Sequence, residues 1–79
     1  MNDWDHAAEI VKREAQKQHE QKGDFASLHE AYGALAEEQA EMLDALRRKD
    51  WVSAVAELVQ IAAIGMTIVY QMERKEKEG

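Results

Sequence analysis

The chain predicts an all-α fold of three helices, on three observations. Proline is absent and glycine falls only at positions 23, 33, 65 and 79. Helix formers dominate the intervals, and no stretch alternates apolar and polar side chains as a half-buried strand would. Capping signals then divide the chain at Gly23, at Ser27 and at Asp50.

The first helix is expected from about Asp3 to Gln21. Its apolar stripe is thin, formed by Trp4, Ala8, Val11 and Ala15, and the rest is polar. Such a helix is weak without neighbours. Gly23 suits its C-terminal cap, where glycine accepts a positive φ at no steric cost. The second helix begins at Ser27, because Ser27-Leu28-His29-Glu30 spells a capping box. It is expected to reach about Arg48. Leu28, Tyr32, Leu35, Met42 and Leu46 follow a three–four spacing, with Gln39 the polar member of that row. The third helix starts after Asp50, a good N-cap residue. It continues to about Lys75 and frays into the charged tail.

The chain has 79 residues, which fits one domain spanning residues 1–79, with no internal repeat. A core built by so short a chain is marginal. Cysteine is absent, so disulfides and thiolate zinc sites are excluded, in keeping with a cytoplasmic protein. The start, MNDWDHAAEI, carries neither the basic nor the apolar region of a signal peptide. The net charge of −6 argues against wrapping a nucleic-acid polymer, but not against a nucleotide held through a metal. No membrane span is expected, since the apolar run 54–70 is short and interrupted by Glu57 and Gln60.

Glu57 is the most informative residue. In Ala54–Tyr70 the only other strongly polar side chains are Gln60 and Thr67. A segment apolar on every side reads as a buried helix, and a buried carboxylate needs a partner. The connection around Lys49-Asp50 is very short, which forces helices two and three to lie antiparallel. Glu41 precedes it by about as many residues as Glu57 follows it, so both sit roughly 11–12 Å from the turn. Glu38 and Gln60 are level by the same count, one turn further away. Residues three apart share a helix face. Opposed faces would therefore bring Glu38, Glu41, Glu57 and Gln60 into a four-cornered oxygen cluster. Several carboxylates meeting in a dry place call for a cation.

The motifs LAEEQAE at 35–41 and AELVQIAA at 56–63, with HEAYG at 29–33 before them, resemble the MazG-like family of all-α nucleoside triphosphate pyrophosphohydrolases. The likeness runs from about Glu9 to Val69. It implies Mg²⁺, with Mn²⁺ as a substitute, held by Glu38, Glu41 and Glu57. The family's last ligand is usually Asp, and here that position is Gln60. An amide oxygen binds a hard cation but brings no charge. The chain is also short for the family and lacks a fourth helix. The implied reaction is attack of water on a phosphate of a nucleoside triphosphate, with release of pyrophosphate. Glu38 or Glu37 would take the water's proton. Lys12 and Lys17 on helix one would hold phosphates, and His29 would contact the ligand.

Plainer roles stand beside these. Glu38, Glu41 and Glu57 can form ion pairs with Arg47, Arg48 or a basic residue of helix one. Gln60 can be a buried hydrogen-bonding residue, Glu37 a solvated one, and Lys12 and Lys17 part of a solvated face. His29 can be surface. Trp4 and Trp51 are expected to pack rather than stack on a base. Helix three is apolar on more faces than two short helices can cover, which predicts a homodimer or higher homo-oligomer packed as a helical bundle. The rival to an enzyme is a non-catalytic helical dimer that retains the acidic site.

Overall fold

The computed structural model describes residues 2–78. It contains three helices, α1 (Asp3–Lys22), α2 (Leu28–Arg47) and α3 (Trp51–Glu78), and no strand among the described residues. Each boundary has a local cause. The Asn2 side chain accepts from the Asp5 N–H at 2.8 Å and starts α1. Gly23, at φ 74°, ends it and returns its N–H to the His19 carbonyl. Ser27 Oγ accepts from the Glu30 N–H at 3.1 Å. The Glu30 carboxylate answers one residue early, accepting from Ala26 N–H at 3.4 Å, so the capping box is offset.

The α2–α3 turn is a Schellman motif. Asp50 N–H reaches the Ala45 carbonyl at 2.9 Å, and Lys49 N–H reaches Leu46 at 3.0 Å. Lys49 takes the left-handed position, φ 57°, where glycine is usual. Asp50 then caps α3, its carboxylate accepting from Ser53 N–H at 3.1 Å and Ser53 Oγ–H at 2.7 Å. Two motifs share one residue, and the chain reverses at once.

α3 is the centre of the molecule. α1 and α2 both pack on it, and their own backbones stay apart. α2 runs antiparallel to α3. α1 runs the same way as α3, since Gln18 meets Gln60 and His19 meets Tyr70 further along both helices. The loop between α1 and α2 is tied down where Gln71 bonds both the N–H and the carbonyl of Phe25, at 2.9 and 3.2 Å. Beside it Asp24 is clasped by His19, at 2.6 Å, and by Arg74, which also lies over the Tyr70 ring.

The result is flat, 46 × 35 × 17 Å. Its buried residues are small apart from Ile64: Ala15 of α1, Ala31 and Ala45 of α2, and Ala54, Ala63, Ile64 and Thr67 of α3. Alanine at the contacts lets helices approach closely but removes little apolar surface from water. The larger apolar side chains lie elsewhere. At 3.6 residues per turn, Trp51, Val55, Leu58, Ala62, Gly65, Val69 and Met72 form one stripe on α3, and all seven are exposed. Leu28, Tyr32 and Leu46 of the expected α2 row are exposed as well, while Leu35 and Met42 are half-buried. The two tryptophans expected to pack do not pack within this chain. Trp4 is 85 % and Trp51 60 % exposed, because each stands in the first turn of its helix, away from the alanine seams. α3 is also long and apolar enough to cross a membrane by length and composition, with little of it buried.

Candidate functional site

The level-matching of the hairpin brings three of the four expected side chains together. Glu38 and Glu41, one turn apart on α2, meet Glu57 of α3, each offering a carboxylate oxygen within 4.8 Å of the others. Glu38 and Glu57 are half-buried and Glu41 is exposed, so the cluster opens to solvent on one side. Glu57 Oε2 is buried and has no hydrogen-bond partner. Crowding has an electrostatic consequence. The Glu38 pKa is pushed up to about 7, by its hydrogen bond with Glu57, then by burial, then by the charges of Glu57 and Glu41.

No basic side chain relieves this crowding. Among the described residues, the ion pairs join Arg13 to Glu9, Arg48 to Asp44 and Asp50, and Asp24 to His19 and Arg74. None reaches Glu38, Glu41 or Glu57. Arg48, one of the partners considered from the sequence, is taken by the turn. An orphaned buried oxygen beside two further carboxylates fits a hard cation, which takes oxygen ligands.

Gln60 is not a fourth corner of this cluster. Its side chain donates to Glu14 and accepts from Gln18, both on α1. Gln60 comes three residues after Glu57, which turns it about 60° away from the α2 contact and toward the side where α1 lies. Glu14 and Gln18 were not singled out from the sequence. Their signal is faint but present: polar residues four apart, flanking Ala15 on the one face of α1 that packs.

A groove of about 290 Å³ lies between α1 and α2, over α3. Glu37, Glu38, Gln60, Lys17 and Lys22 line it together with Glu14 and Gln18. Glu38 therefore belongs both to the carboxylate cluster and to the groove. Glu37 is exposed and faces the groove. Lys17 is there, but Lys12 lines a different hollow with His19, Met66 and Tyr70 on the outer flank of α1 and α3. His29 is exposed in the first turn of α2 and lines neither. The arrangement offers oxygen ligands at one end of a polar groove and lysine ammonium groups along its α1 wall.

The fold and site define an all-α protein with a three-carboxylate cluster, of which Glu38 lines an interhelical groove while Glu41 and Glu57 line a separate hollow beside the α2–α3 turn. Comparisons with protein-family models, with characterised proteins and with solved structures find no match.

Proposed function

We propose that this chain is a MazG-like, Mg²⁺-dependent nucleoside triphosphate pyrophosphohydrolase of the cytoplasm, converting a nucleoside triphosphate to the monophosphate and pyrophosphate. The observation that carries the reading is the convergence of Glu38, Glu41 and Glu57 within 4.8 Å, with Glu57 Oε2 buried and unpartnered, beside a groove walled by Lys17 and Lys22. Those three carboxylates would hold the ion, and Mn²⁺ would substitute. The ion supplies charge neutralisation at the phosphates. The chain's own residues do the rest. Lys17 and Lys22 bind phosphate oxygens as point charges. Glu38, or Glu37 beside it, accepts the proton of the attacking water as its oxygen bonds to phosphorus and the bond to the leaving pyrophosphate breaks.

A second reading is favoured by one observation, the engagement of Gln60 with Glu14 and Gln18. It takes the Gln60 amide oxygen away as a fourth ligand and leaves three carboxylates alone, which lowers affinity for a dication. On that reading the chain is a non-catalytic helical protein that keeps the acidic cluster. Pyrophosphate release from the common nucleoside triphosphates, with Mg²⁺ or Mn²⁺, decides between them. The enzyme reading expects slow release that Glu41→Ala and Glu57→Gln abolish. Release no faster than in Glu41→Ala would leave the non-catalytic reading standing.

A further inference from the structure

We propose that the carboxylate cluster has two entrances: the cation reaches it through the hollow beside the α2–α3 turn, under the charge of Arg48, and the groove is left to the anionic ligand. The inference rests on the reading of Glu38, Glu41 and Glu57 as a cation site. The two cavities lie end to end along the hairpin. On α2 the groove ends at Glu38 and the hollow begins at Ala40. On α3 the groove ends at Gln60 and the hollow begins at Glu57. No residue lines both, so the cluster is the boundary between them.

The boundary is not symmetric. Glu38 alone lines the groove, and it is half-buried. Glu41 and Glu57 line the hollow, and Glu41 is the exposed member of the three. The side on which the cluster meets solvent is therefore the hollow's side. At ~30 Å³ per water, an octahedral ion with its waters fills roughly 180 Å³. The hollow holds about 390 Å³ and the groove about 290 Å³. Size thus admits the ion to both, and the exposure of the ligands decides. At the groove's end the Gln60 side chain reaches from α3 to Glu14 and Gln18 of α1, which narrows the approach from that side.

Arg48 is the cationic side chain of the hollow. Its guanidinium is held by Asp44 at 3.1 Å and lies 3.6 Å from Asp50. The tight turn that sets the register of the hairpin thus also parks a positive charge at the entrance. Arg48 touches none of the three glutamates, so it acts through space. A tethered like charge lowers the local concentration of a dication and slows its entry. Both of its pairs are exposed, and such pairs are weak, so the guanidinium can swing aside. The hollow is also clear of the apolar stripe. Ser53 and Glu57 each follow a stripe residue, Trp51 and Val55, by two positions, about 200° round the helix. With separate entrances, an anion seated in the groove does not trap the ion behind it.

The test reads the exchange of Mn²⁺ and needs no turnover. Calorimetry gives the Kd, and stopped-flow release into an excess of fluorescent chelator gives the dissociation rate. Their ratio is the association rate. Ala40→Trp, at an exposed position on the hollow, is expected to slow association and release together at least tenfold, with the Kd kept within twofold. Ala34→Trp, which fills the groove one turn before Glu38, is expected to change either rate less than twofold. Because a tryptophan can disturb the packing, Arg48→Gln supplies a second measurement. It is expected to speed association at least threefold at low ionic strength and less in high salt. Exchange slowed by Ala34→Trp and not by Ala40→Trp would overturn the proposal, as would exchange unchanged in both, or association indifferent to Arg48→Gln. Failure of the intact chain to bind Mn²⁺ would overturn it together with the cation reading on which it rests.

Discussion

The crowding of Glu38 makes the stability of this protein depend on pH in a direction opposite to that of an ordinary paired carboxylate. A carboxyl whose pKa is higher in the folded state than in the unfolded state binds its proton more tightly when folded. Its stabilising contribution is complete below the unfolded value of 4.5 and is lost as pH rises through the folded value of about 7. A tenfold difference in proton affinity between the two states corresponds to ~1.36 kcal/mol. Water reaches one side of the cluster and screens it, so about 1–2 kcal/mol survives. For a domain of this size that lowers Tm by about 5–10 °C between pH 5 and pH 8. Glu57→Gln removes the first cause of the raised pKa, and its melts should vary much less over the same window. Circular dichroism melts of both proteins at one fixed protein concentration isolate the cluster from the other titrating groups. Millimolar Mn²⁺ should restore the intact protein at pH 8, since an ion that binds only the folded state stabilises it by mass action. It should do little for Glu57→Gln, or at pH 5, where protons occupy the site. Parallel pH curves for the two proteins would refute the reasoning from crowding. A flat response to Mn²⁺ at pH 8, beyond that to matched ionic strength, would remove the cation.

Other substitutions probe the frame. Gln60→Glu sets a second carboxylate against Glu14 and should cost about 1–3 kcal/mol at neutral pH, most of it regained when Glu14→Gln is added; a double-mutant cycle of melts measures the coupling. Lys49→Gly relieves a left-handed residue in the α2–α3 turn and should raise stability by about 1 kcal/mol in urea titrations. Gly23→Ala meets no atom within 4 Å but must hold φ 74°, so it should cost about 1–2 kcal/mol in the same titration. Ser27→Ala removes the α2 cap and should cost about 1 kcal/mol, with faster hydrogen exchange at Glu30 N–H than at mid-helix amides.

The elements of the fold were legible wherever a cap residue announces an end. Gly23, Ser27 and Asp50 each act where their side chain or their missing side chain is needed, and the helix bounds fall within a few residues of expectation. The meeting of Glu38, Glu41 and Glu57 was legible for a geometric reason. A turn this short leaves one antiparallel register, and counting residues from it sets the levels. Counting does not set which way a side chain turns about its own helix. Gln60 is level with Glu38 yet bonds to α1, and that depends on the side of α3 that α1 chooses. The sparse stripe of α1 says that it packs, through Val11 and Ala15, but not where. Periodicity also marks Leu28, Tyr32 and Leu46 as an apolar row without saying that α3 would turn aside from it and use the alanines instead.

Because the α1 and α2 backbones each pack on α3 and stay apart from each other, the molecule has a seam along which it can come apart in one piece. α2, the tight turn and α3 make a sequence-local unit whose contacts close over short loops, the kind that forms early in folding. α1 adds to it through Ala15, the Gln60 hydrogen bonds and the Asp24 clasp, so its docking is a separate, lower-energy event. The groove has one wall only while α1 is attached. Detaching it would leave the three carboxylates assembled, expose Gln60 without its partners, and turn a walled cleft into an open shelf. The same few bonds that hold the polar helix in place thus decide how often the site has an inside at all.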